Sequence, residues 1–185
     1  MAVLVTTLAV VVALLAVIVA GLLRSHAAIL RSLRAAPPGV PSAPSRRAYD
    51  LTGVSPAGDE ISIPVVDAGR STLMVFLTST CIACDDFWHA LASASRRRVS
   101  DGTRLVVVTK GPDTENAPRL VSLAPRDVPV LMSTPAWDAY SVSVGPHFVF
   151  VDGSTGAIVG EGPVSTWGDL VSVVERVSSH PRSDA

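Results

Sequence analysis

Two short apolar runs constrain the fold more than any other feature of the chain. Residues 72–77 read Thr-Leu-Met-Val-Phe-Leu and residues 104–109 read Arg-Leu-Val-Val-Val-Thr, with no alternation of polar and apolar side chains. Such strands are buried on both faces and need cover above and below the sheet. Between them, Cys84, Phe87, Trp88 and Leu91 recur at spacings of three and four, which predicts a helix over residues 81–96 with one apolar face. Residues 60–64 alternate and predict an edge strand. A short helix is expected over 115–123, and a short strand over 128–132, where Pro129 fits an end or an edge. Residues 147–151 form a further apolar run, the Asp-Gly-Ser-Thr-Gly stretch 152–156 turns the chain, and residues 157–159 return it as a hairpin. An amphipathic helix over 166–177 closes the domain. Strand–helix–strand, then a hairpin and a last helix, is an α/β layout with a mixed sheet. The arginine run 96–98 reads as the solvated end of a helix, favoured by its dipole.

The chain of 185 residues has only two cysteines, Cys81 and Cys84. They stand after a buried strand and the polar turn Thr78-Ser79-Thr80, at the start of the predicted helix. Unpaired backbone N–H groups at a helix start favour a thiolate. Cys84, one turn further on the same face, is within reach of a disulfide. An exposed thiol at the first position and a second thiol one turn on is the arrangement that thiol–disulfide exchange requires. Structural zinc needs four ligands, and no second Cys or His pair stands at ligand spacing; His89 falls on another face of the helix. A structural disulfide across so small a loop contributes little chain entropy. The residues point to a redox-active pair with no metal and no cofactor.

The rest of the chain divides by composition. Residues 2–23 carry no charge, and as a helix of about 33 Å they match a hydrocarbon core of about 30 Å. A cleaved signal peptide has a basic start and a shorter apolar core, so a transmembrane anchor is expected, with a juxtamembrane segment to residue 34. Residues 35–47 hold four prolines and read as an extended spacer. The folded domain is expected over 48–180, with a tail at 181–185. The net charge of −1 argues against a nucleic-acid partner, since a phosphate binder usually carries a clear basic excess. Arg24, Arg31 and Arg34 follow the apolar run and favour a cytoplasmic domain by the charge rule, whereas a persistent disulfide chemistry favours the extracytoplasmic side. The second reading is preferred.

The segment 76–84, the stretch Gly145-Pro146-His147-Phe148-Val149-Phe150-Val151 with the turn after it, and the final helix together carry a resemblance over residues 49–178. The chain resembles membrane-anchored thiol–disulfide oxidoreductases of the thioredoxin-like fold, the TlpA-, ResA- and MauD-like proteins. That likeness implies a mixed central sheet flanked by helices and preceded by one transmembrane helix. It implies catalytic Cys81 and Cys84. It also implies a cis Pro146 against the pair, with Gly145, Pro146 and His147 binding the substrate chain. The partners it implies are proteins with thiols or disulfides and a second redox protein that recycles the pair.

The departures bear on mechanism. Thr80 stands where the family often has Trp, and Ile82 and Ala83 where proline often lies between the cysteines. Val75 stands where a buried acid often accepts the proton of the second Cys. Asp85 and Asp86 are candidate substitutes, though both also suit the first turn of a helix. The direction of electron flow stays open. Two other readings remain: a peroxiredoxin-like peroxidase, which Thr78 fits but Met74 does not, and a copper carrier or assembly factor, which needs Cys81, Cys84 and His147 to converge.

Overall fold

The structure is a computed structural model that describes Thr6 and residues 46–179, apart from residue 101. The chain divides into two compact units, Met1–Pro38 and Gly39–Ala185. Apart from Thr6, the expected anchor, the juxtamembrane segment, residues 35–45 of the spacer and the tail 181–185 lie outside the described residues. Among those described, no helix is long and apolar enough to cross a membrane.

The strands are β1 (Leu51–Val54), β2 (Glu60–Ile63), β3 (Thr72–Phe76), β4 (Arg104–Thr109), β5 (Val130–Met132), β6 (His147–Val151) and β7 (Ile158–Pro163). The helices are α1 (Asp85–Ala92), α2 (Arg97–Ser100), α3 (Ala117–Leu123), α4 (Thr134–Ala139) and α5 (Trp167–Ser179). One mixed sheet runs in the order β2-β1-β5-β4-β3-β6-β7. The pairs β3·β4 and β4·β5 are parallel, and β1·β5, β3·β6 and β6·β7 are antiparallel.

Strand alternation divides the core in two. Leu73, Val75 and Val107 face one layer, with Phe87, Trp88 and Leu91 of α1 and Leu170, Val171 and Val174 of α5. Met74, Phe76, Val106 and Val108 face the other, with Trp137 of α4, Tyr140 and Leu51. This two-sided cover is what the unbroken apolar runs required. In the second layer the Tyr140 hydroxyl donates to the Tyr49 carbonyl at 2.6 Å and accepts from the Tyr49 N–H at 2.9 Å, which ties the strap before β1 to the core.

Several expectations are adjusted. The helix predicted over 81–96 is broken. A 3₁₀ turn, Ile82–Cys84, leads into α1, which stops at Ser93. Ser93 is extended, and its hydroxyl accepts from Ser95 N–H at 3.1 Å, opening a second 3₁₀ turn before α2. Serine competes for backbone donors in this way and so favours caps over helix interiors. The arginines are also less idle than a solvated end: Arg96 bonds the Leu91 carbonyl at 3.1 Å and pairs with Asp127, and Arg98 pairs with Glu175 at 3.2 Å. The hairpin return extends to Pro163. Strand β1 and helix α4 have no counterpart in the predicted elements. The capping of α5 is reciprocal, with Thr166 N–H on the Asp169 carboxylate and Asp169 N–H on the Thr166 hydroxyl, both 3.1 Å.

The turn after β6 meets the loop before β3 at Gly153, where a Cβ would lie 1.9 Å from the Arg70 carbonyl oxygen. Backbone cannot yield as a side-chain tip can. Gly153→Ala is therefore expected to lower unfolding stability by about 3 kcal/mol, measured by urea titration.

Candidate functional site

Strand β3 ends at Phe76, and the loop that follows carries the cysteines. Leu77 N–H bonds the Val108 carbonyl of β4 at 3.1 Å. The Thr78 carbonyl accepts from the Trp88 indole N–H of α1 at 3.2 Å. Cys81 stands at the N-cap of the 3₁₀ turn, and its carbonyl accepts from Cys84 N–H at 3.0 Å. The thiol of Cys81 is half-exposed, that of Cys84 is buried, and both are free.

Burial pushes the Cys84 thiol up to about 12, aided by its hydrogen bond to Cys81 and by the charges of Cys81 and Asp85; a backbone bond at Thr78 works against the shift. Cys84 lies in the same core layer as Val75, so Val75 is part of the apolar wall around the second thiol. Of the two candidate substitutes, Asp86 is committed to α5: its carboxylate accepts Trp167 N–H at 2.9 Å. Asp85 remains, and its charge acts on Cys84 to hold the proton on.

The second half of the site comes from the start of β6. The bond between Gly145 and Pro146 is cis. The Cys81 thiol donates to the Gly145 carbonyl oxygen at 3.7 Å, across 64 residues of chain. Gly145 fits because it has no side chain: a Cβ there would lie 2.8 Å from the Phe76 carbonyl and 3.4 Å from the Trp137 ring. That ring stacks edge-on against Phe76 at 5.6 Å and takes Lys110 Nζ at 5.4 Å from its centroid. Pro146 is buried, and its carbonyl accepts from Val164 N–H at 3.2 Å.

His147 is placed differently. It pairs with Phe76 across β3·β6, so the two side chains share a face, and their rings meet edge-on at 6.4 Å. Phe76 belongs to the layer opposite Cys84. Burial and the nearby Arg46 charge keep His147 below the ordinary histidine range. The convergence that a copper site needs is therefore not formed. Among the described residues no group of three or more His, Cys, Asp or Glu side chains is placed to hold a metal. Met74 also lies in the layer away from the pair, and a peroxidase reading gains nothing from it.

No family model matches the sequence, and a search of curated proteins finds no match. Solved structures do match by fold. A thiol:disulfide interchange protein of the thioredoxin family from Chlorobium tepidum TLS aligns with a TM-score of 0.56 at 21% identity, over 74% of this chain and 99% of that one. The thioredoxin domain of a thiol-disulfide oxidoreductase from Bacteroides vulgatus gives 0.55 at 19%, over 74% and 98%. A secreted Mycobacterium tuberculosis disulfide oxidoreductase, homologous to E. coli DsbE, gives 0.54 at 16%, over 70% and 96%. The chain thus has the thioredoxin-like α/β fold, with a C-x-x-C cysteine pair where β3 gives way to α1.

Sequence reasoning missed Ser79, Glu115 and Arg119. The buried Ser79 is bonded by both of the others, over a separation of 36 residues or more that no local pattern reveals.

Two expected outcomes follow from the burial of Cys84. Iodoacetamide at pH 8 should modify Cys81 first, with Cys84 reacting only after unfolding; mass spectrometry of the labelled peptides reads the order. A thiol whose folded value is raised gives stability that is complete below its unfolded value and lost as pH rises through the folded one. Tyr140 is likewise pushed up to about 12, chiefly by burial. The reduced domain should therefore lose stability between its ordinary thiol range near pH 9.0 and about pH 12, and Cys84→Ser should flatten that decline in a pH series of melting curves.

Proposed function

We propose that the protein is a membrane-tethered thiol–disulfide oxidoreductase acting on extracytoplasmic proteins. The observation that carries this reading is the half-exposed Cys81 thiol set against the Gly145 carbonyl beside cis-Pro146, with Cys84 buried one turn behind. In the reducing direction the Cys81 thiolate attacks one sulfur of a substrate disulfide. A mixed disulfide forms and the other substrate sulfur leaves as a thiolate. Cys84 gives up its proton and attacks Cys81 Sγ, forming the Cys81–Cys84 disulfide and releasing the second substrate thiol. The substrate gains two electrons and two protons, and the pair loses them. The oxidised pair runs the same steps backwards on a substrate dithiol. A second dithiol protein returns the pair to its starting state.

The substrate chain docks along the backbone at Gly145 and Pro146, with His147 flanking that edge from the opposite layer. Two exposed apolar side chains border the cysteine: Ile82 is 87% exposed and Val144 67%. Isolated apolar exposure is ordinary on a protein surface; here the two residues adjoin the reacting sulfur and the cis bond, and they suit an apolar stretch of partner chain.

Residues 2–23 supply the anchor and residues 35–47 the spacer, with the domain 48–180 outside the cytoplasm. The neighbour described as secreted supports that side, as does the persistence of disulfides there. A phosphatase fused after Ala185, active only outside the cytoplasm, is expected to be active. A fusion active only as a cytoplasmic reporter would overturn the placement and leave the exchange chemistry standing.

The chemistry is tested by trapping. Full-length Cys84→Ser should accumulate partner proteins joined through Cys81, released by reductant and visible on non-reducing gels. Cys81→Ser should trap none. Equal behaviour of the two variants removes the assignment.

A further inference from the structure

Three successive residues of the loop before Cys81 are held by three different elements. Leu77 is tied to β4 and Thr78 to α1. Ser79 is tied to the segment that opens α3, and every polar group of Ser79 is used. Its N–H and hydroxyl both donate to Glu115 Oε2, at 3.0 and 2.6 Å. Its carbonyl accepts from Arg119 Nε at 2.6 Å. Ser79 itself is 2% exposed. The two clamping residues are anchored in turn. Glu115 N–H bonds the Gly111 carbonyl at 3.0 Å, and Arg119 N–H bonds the Asn116 side-chain oxygen at 3.0 Å.

Resting on the exchange reading above, we infer that Glu115 and Arg119 are positioning residues, which act through Ser79 to set the place of the Cys81 sulfur against Gly145. Hydrogen bonds to charged partners are the stronger kind and fix geometry as well as energy. Two such partners close on one buried residue two positions before the nucleophile. Displacement of a reacting atom by about 1 Å can cost up to about a hundredfold in rate, so a clamp at this point controls the chemistry without touching the substrate.

The experiment uses the full chain and a peptide with one internal disulfide as substrate. Glu115→Ala and Arg119→Ala are expected to lower kcat about tenfold with KM changed by less than about twofold, because the docking edge at Gly145 and Pro146 is untouched. Glu115→Gln keeps an oxygen for both Ser79 donors and should recover kcat to within about threefold of wild type. Iodoacetamide, which needs access and no alignment, should modify Cys81 about threefold faster in the alanine variants while Cys84 stays protected.

Slower exchange with faster Cys81 labelling is the signature of a released nucleophile. An unchanged kcat in Glu115→Ala overturns the inference. So does a Gln variant as slow as the Ala variant, since Gln keeps the oxygen that accepts from both Ser79 donors. Parallel exposure of Cys84 would show general loosening and overturn it too. If Glu115→Ala does not fold, Arg119→Ala decides alone. Should the wild type fail to exchange the peptide, the function reading fails, while the labelling ratio between wild type, Ala and Gln variants still tests the clamp.

Discussion

The antiparallel pairing of β3 with β6 is the contact on which the site depends. Phe76, the last residue of β3, faces His147, the first of β6. Whatever leaves β3 must therefore pass whatever enters β6, and Cys81 meets Gly145 although 64 positions separate them. The register is held from both sides. Five consecutive buried residues of β3 project alternately into two filled layers, so a slip of one residue would send every side chain into the wrong layer. Gly145 then completes the approach, since any side chain would strike the Phe76 carbonyl. Packing at the centre of the sheet thus fixes a sulfur-to-backbone contact at its end.

Much of this was legible in the sequence because it rests on local pattern. The unbroken runs 72–77 and 104–109 gave the doubly covered strands, and the spacing of Cys84, Phe87, Trp88 and Leu91 gave the face of α1. The cysteine pair was found from its place after a buried strand. The cis bond at Pro146 followed from resemblance, and composition alone would not have suggested it. What stayed hidden depended on partners distant in sequence. Strand β1 reads Leu-Thr-Gly-Val and has little strand character of its own; it forms because β2 and β5 flank it, and Gly53 is required by the Met132 carbonyl, 2.4 Å from where a Cβ would stand. Helix α4 is six residues long and too short to show a period, yet it delivers Trp137, which supports Gly145. The side taken by His147 was hidden for the same reason: only the register with Phe76 decides which layer it enters.

The departures from the family pattern gain a physical meaning once the layers are known. Val75 shares the apolar layer of Cys84, and two carboxylates, Asp85 and Asp86, stand in the first turn of α1 directly after that cysteine. One of these caps α5, and the other opposes ionisation of the thiol. Cys84 is thereby kept as a neutral thiol, shielded from outside reagents and hydrogen-bonded to Cys81.

In the exchange proposed above, a thiol so shielded can still serve as the resolving group. Burial keeps this thiol largely protonated at neutral pH. In a bimolecular reaction a buried, protonated thiol is a poor nucleophile. In the mixed disulfide its target is the neighbouring sulfur one turn away, and effective molarities for well-oriented internal reactions reach about 10⁵–10⁸ M. In the mixed disulfide Cys81 carries neither a proton nor a charge, so two of the causes that hold the proton on Cys84 are also gone. In the exchange proposed above, burial of Cys84 would suppress reaction with any other thiol or oxidant while leaving the internal step open, and the position of Cys81, the partner in that step, is what the proposed clamp on the loop would set.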